Sequence, residues 1–77
     1  MKWLVRQNNS TRTDLKWPYV DSNVYPWIVT GDVEHIDELT AARAWCTENS
    51  IPFHRIFASI CLTSRDHLFE FLLRWDE

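Results

Sequence analysis

The sequence predicts a small α+β or α/β two-layer sandwich: a mixed sheet of three or four strands with two helices on one face, ordered strand-helix-strand-helix over residues 25–76. Two periodicities and the chain length predict it. Short runs near residues 2–6 and 53–63 alternate polar and apolar side chains, as a half-buried strand does, and residues 25–30 are β-branched and aromatic. Residues 37–49 and the stretch after Ser64 instead repeat apolar positions every three or four residues, the spacing that lines one side of a helix. A chain of 77 residues has apolar surface for a single core, so 1–77 is expected to be one domain.

The first strand is KWLVR, Lys2 to Arg6, closed by a turn at Asn8–Ser10. Residues 11–24 admit two readings. Leu15–Val20 is either a short edge strand, because Pro18 cannot donate to a ladder, or a lid that folds back over the sheet. Tyr25–Thr30 is β-branched and aromatic and ends at Gly31, which reads as a strand closed by a turn. From Asp37, the expected N-cap, Leu39, Ala42 and Cys46 share one helical side with Trp45 next to it, and Asn49, Ser50 and Pro52 end the helix. Phe53–Thr63 alternates throughout. As one strand it places Ile56, Ala58, Ile60 and Leu62 on one face and Phe53, Arg55, Phe57, Ser59 and Cys61 on the other. Ser64 then caps a second helix, with Asp66 and Arg74 at the ends that suit its dipole. Its stripe of Leu68, Leu72 and Trp75 is widened by Phe69, Phe71 and Leu73, so burial on more than one side is expected. Strands 25–30 and 53–62 are expected to run parallel across the intervening helix if they share a sheet, leaving the opposite sheet face only partly covered.

Composition narrows the function classes. Eleven acids against eight bases give a formal charge of -3, which offers no general attraction to phosphate backbones. No apolar run reaches the ~18 residues of a membrane span, and Met1–Arg6 lacks the apolar stretch of a signal peptide, so the expected compartment is the cytosol. Cys46 and Cys61 have no second pair or spaced histidine to complete a zinc site; they read as buried thiols, with a disulfide or a reactive thiol as alternatives. The single glycine rules out most phosphate loops and nucleophile elbows, and neither a metal nor a cofactor is expected. A Cys-His-carboxylate set drawn from Cys46 or Cys61, His54 or His67, and Asp66 is the one catalytic arrangement available; His35 is expected in a loop.

Two segments carry a resemblance. RAWCTEN, Arg43 to Asn49, and DHLFEFLLRW, Asp66 to Trp75, resemble a pattern of small uncharacterised tailed-phage accessory proteins: W-C-x-E-N, then a strand, then D-x-x-x-x-F-K-L-R-W. The matching positions are Trp45, Cys46, Glu48 and Asn49, then Asp66, Phe71, Leu73, Arg74 and Trp75, over about the last two fifths of the chain. Leu72 stands where that pattern has lysine. The resemblance implies phage origin and a place in the host cytoplasm, with no activity attached.

Candidate binding residues come from the aromatics. Trp17, Tyr19, Tyr25 and Trp27 cannot all face inward; Trp27 is assigned to the core, whereas Trp17 and Tyr19 lie among Asp14, Lys16, Asp21, Ser22 and Asn23. Rigid rings beside charges are what interface anchors look like. Trp17, Tyr19, Arg55 and Phe57 are therefore expected to form a contact patch for a host or viral protein. Two alternatives stand: self-association or a virion-bound structural role through the second helix, and single-stranded nucleic-acid binding by Phe53, Arg55 and Phe57.

Overall fold

The computed structural model describes residues 3–32, 34 and 36–75. Lys2, expected in the first strand, and His35, expected in a loop, fall outside them. The described chain is an α+β fold of six elements: β1 (Leu4–Gln7), β2 (Trp27–Thr30), α1 (Ile36–Glu48), β3 (Phe53–Ile56), β4 (Ser59–Leu62) and α2 (Arg65–Trp75). The four strands form one open sheet in the order β1-β2-β4-β3, with β1 and β3 at the edges. Each neighbouring pair is antiparallel, so the sheet is not mixed as the sequence suggested.

The difference arises in residues 53–63. The expected long strand folds back on itself as a hairpin, with Ile56 opposite Ser59 and only Phe57 and Ala58 in the loop. β4 thereby slots between β2 and β3, which keep the same direction without touching. The register also reassigns faces. Phe53 lies opposite Leu62 and Arg55 opposite Ile60, so all four share a face, and the expected grouping of Phe53 and Arg55 with Cys61 is overturned.

That face supplies Val29, Ile60 and Leu62 to a buried cluster with Leu39, Ala42 and Cys46 of α1 and Leu68 and Phe71 of α2. Trp3, just ahead of β1, is buried in the same cluster, its ring edge-on to Phe71 at 5.1 Å and its indole N–H donating to the Trp75 carbonyl at 3.2 Å. Gly31 makes room for it. A β-carbon there would lie 2.7 Å from the Trp3 ring, and its φ is not positive, so this glycine serves close approach rather than a left-handed backbone. In α2 the buried positions are Leu68 and Phe71, while Leu72 and Trp75 are half-buried, so the apolar stripe centres on Phe71.

Both helix ends follow from local sequence. The Ser64 hydroxyl accepts the His67 amide at 3.2 Å, the expected N-cap of α2. α1 starts at Ile36, which puts Asp37 inside the first turn rather than at the cap. At its C-terminus Ser50 takes φ 56°, the Ser50 amide bonds the Thr47 carbonyl at 3.2 Å and the Ile51 amide the Cys46 carbonyl at 2.8 Å. This is a Schellman close, and buried Ile51 supplies its apolar contact.

Residues 8–26 form the lid, and no strand occurs among them. Asn8, buried at the end of β1, holds the lid from inside: its amide donates to the carbonyls of Val20 at 2.9 Å and Tyr25 at 2.8 Å, and its side-chain oxygen accepts the Ser10 amide at 2.9 Å. Ser10, fully buried, extends the clamp by accepting the Lys16 amide on its hydroxyl and the Ser22 amide on its carbonyl. On the sheet face opposite the main cluster, Arg6, Ile28, Cys61 and His54 stand in one row across the strands. The lid meets both ends of that row, with the Arg6 guanidinium over the Trp17 ring at 5.1 Å and the Tyr25 ring 5.7 Å from His54. Ile28 and Cys61 between them are buried.

Candidate functional site

The four expected contact residues separate into two groups. Trp17 and Tyr19 flank Pro18, which is fully buried, and both belong to the lid. Trp17 keeps 38% exposure while stacked with Arg6, and Tyr19 is 63% exposed. Arg55 and Phe57 lie at the other end of β3. Arg55 is exposed on the edge strand, on the face that α1 packs against, where a charge also discourages unwanted strand pairing. Phe57 is 83% exposed in the β3–β4 loop, so it does not share a sheet face with Phe53 and Arg55 in the manner the single-strand reading required.

Backbone conformation singles out two of these residues. Among the described residues three that are not glycine have positive φ: Tyr19 at 65°, Ser50 at 56° and Phe57 at 45°. Ser50 is accounted for by the helix close. Tyr19 and Phe57 are exposed aromatics in a region that costs an L-residue roughly 1–2 kcal/mol. A two-residue hairpin loop with positive φ at its first residue alone is ordinarily led by glycine. Phe57 occupies that position with a side chain turned mostly to solvent. Both residues are thus large side chains held against local preference and turned to solvent.

A residue that sequence reasoning passed over completes the Phe57 corner. Arg43 projects from α1 and its guanidinium donates to the Phe57 carbonyl, while its Nε is buried without an acceptor. Burial, and after it the neighbouring Arg55 charge, lower the Arg43 pKa from the ordinary arginine value. Among the described residues the ion pair is Lys16–Asp14, at 3.3 Å, and neither arginine takes part in one. The signal was present in the sequence: the positions three and four residues from Arg43 are Leu39, Thr40, Cys46 and Thr47, with no acid to pair it.

The register places one catalytic-type pair together, since His54 is directly across from Cys61. Burial pushes the Cys61 thiol up to about 11, and that of Cys46 likewise, so both are protonated at neutral pH and sealed from solvent. His54 stacks on Tyr25, and the His67 ring nitrogen lies 3.4 Å from the Thr63 hydroxyl, on a different element. Cys46 lies in the main cluster and Cys61 on the opposite face, and both are free thiols. Among the described residues no group of three or more His, Cys, Asp and Glu is placed to hold a metal ion, and no helix is long and apolar enough to cross a membrane.

Other exposed apolar side chains are Leu4, Leu15, Val24 and Ile36, and on α2 Phe69 and Leu73, one turn apart, are 64% and 69% exposed. Compared with known proteins, the chain matches no family model, no curated protein and no solved structure.

Proposed function

We propose that this chain is a non-enzymatic phage accessory protein that works in the host cytoplasm by binding a host or viral protein, inhibition of a host machine being one outcome such binding can have. The reading takes α1 and α2 to cover one face of the sheet and the lid to cover much of the other. Contact then falls to the rings the fold leaves outside, with Trp17 and Tyr19 on the lid and Arg55 and Phe57 at the hairpin corner. The observation that carries it is the pair of exposed aromatics, Tyr19 and Phe57, held at positive φ. Phage origin rests on the resemblance of Trp45–Asn49 and Asp66–Trp75 to the tailed-phage pattern.

A pull-down from host lysate with the tagged protein tests this. The expected result is a captured protein that Tyr19→Ala or Phe57→Ala releases while the melting curve stays in place. Retention of every captured protein by both variants refutes the assignment.

Self-association is the second reading, favoured by Phe69 and Leu73 on the outer side of α2. It predicts a mass that rises with concentration in sedimentation and returns to the monomer value in Leu73→Glu.

A further inference from the structure

The hairpin corner carries two arginines, Arg43 and Arg55, near enough for one charge to act on the other, and neither has an ion-pair partner among the described residues. Arg43 reaches it from α1 through its bond to the Phe57 carbonyl, and Arg55 reaches it from β3, two residues before Phe57 and on the α1 side of the sheet. Arg55 has Phe53 as its same-face neighbour along the strand and Ile60 across it, so neither strand position beside it carries an acid. Arg43 is half-buried and its Nε has no acceptor, so its charge is neither fully hydrated nor paired. Two like charges so placed repel each other, and a single oxyanion between them would reverse the sign of that interaction.

We infer that Arg43 and Arg55, at the Phe57 loop, form a binding site for one oxyanion, a carboxylate or a phosphate. The inference goes beyond the protein-binding reading and does not rest on it. A polyanion fits less well. Arg6 is stacked on Trp17 on the opposite sheet face, Arg12 and Lys16 lie in the lid, Arg65 and Arg74 belong to α2, and the net charge is -3, so the described cations form no track leading away from the corner. Guanidinium groups suit the task because their planar forks match the oxygens of carboxylate and phosphate.

The test is a titration of the ¹⁵N-labelled full chain at constant ionic strength, once with sodium phosphate and once with sodium acetate. The side-chain N–H signals of Arg43 and Arg55 and the Phe57 amide are followed. Saturable shifts are expected, weakened at least about tenfold in Arg55→Gln, as loss of one charge-assisted pair implies. Arg55 is exposed, so this variant keeps its fold. Arg43→Lys, which retains the charge but loses the fork, is expected to weaken binding less than Arg55→Gln does. Tighter binding of phosphate assigns the site to phosphoryl groups, and tighter binding of acetate assigns it to acidic side chains; both support a two-arginine site. Shifts that stay linear in added salt, or saturation unchanged in Arg55→Gln, overturn it. So does a single-stranded oligonucleotide that binds more tightly than phosphate with a steep salt dependence, because that behaviour belongs to a multi-phosphate surface.

Discussion

Removing the side chain of Asn8 tests whether the lid is part of the folded core or an appendage to it. Asn8→Ala deletes three hydrogen bonds, to the Val20 and Tyr25 carbonyls and from the Ser10 amide, at 2.8–2.9 Å. At about 1 kcal/mol net for each, the loss is about 3 kcal/mol where water cannot replace them and about 2 kcal/mol where it reaches one. A domain of this size holds roughly 4–12 kcal/mol in total, so the variant is expected to lose about a sixth of its stability or more. Asn8→Asp should be worse at neutral pH, since a carboxylate would face two carbonyl oxygens without a donor to offer. Urea unfolding measures the total, and amide exchange locates it. The Lys16 and Ser22 amides, which bond Ser10, should exchange about a hundredfold faster if the lid opens by itself, with the β2–β4 ladder still protected. An Asn8→Ala protein within about 0.5 kcal/mol of the parent, with unchanged protection at Lys16 and Ser22, would refute the clamp.

Other consequences are as direct. Gly31→Ala drives a methyl group to 2.7 Å from the Trp3 ring, which is packed against Phe71, and is expected to cost about 1–3 kcal/mol, seen as a melting point lower by at least about 4 °C. Phe57→Gly should leave stability equal or raise it by up to about 1 kcal/mol, because the ring is exposed and its backbone is left-handed; a marked loss in urea unfolding would show that the ring is structural after all. The thiols supply a pH signature. Burial raises the pKa of Cys46 and Cys61 from the ordinary 9.0 to about 11, so the unfolded chain loses these protons first, and their contribution to stability is intact below pH 9 and lost as pH rises towards 11. In the folded protein at pH 8 both should resist a thiol reagent that modifies them at once in urea; rapid native-state labelling would contradict their burial.

Part of the site was legible in the residues. Exposed Trp17 and Tyr19 could be suspected from rings crowded among charges, whereas Phe57 is singled out by an alternation with Phe53 and Arg55 that the hairpin breaks. Their separation into a lid pair and a hairpin corner could not be suspected, because it depends on which strand faces which. Arg43 was hidden for a related reason: next to the apolar stripe of α1 it looks like an ordinary solvated charge, and its meaning appears only when the Phe57 carbonyl and Arg55 arrive from another part of the chain.

What the sequence determined alone is what neighbouring residues can settle among themselves. α1 and α2 are written in three- and four-residue spacing, and the Ser64 cap and the stop after Asn49 need only the adjacent backbone. The tertiary structure decided the rest. Residues 53–63 alternate whether they run on or turn back, and Phe57 and Ala58 carry no glycine, proline or asparagine to announce a loop. Pairing of β4 with β2 on one side and β3 on the other breaks the tie, burying Ile60 and Leu62 against the helices and Cys61 beside Ile28 on the opposite face. Asn8 likewise looks like a turn residue, and becomes a clamp only when Val20 and Tyr25, twelve and seventeen positions away, bring their carbonyls to it.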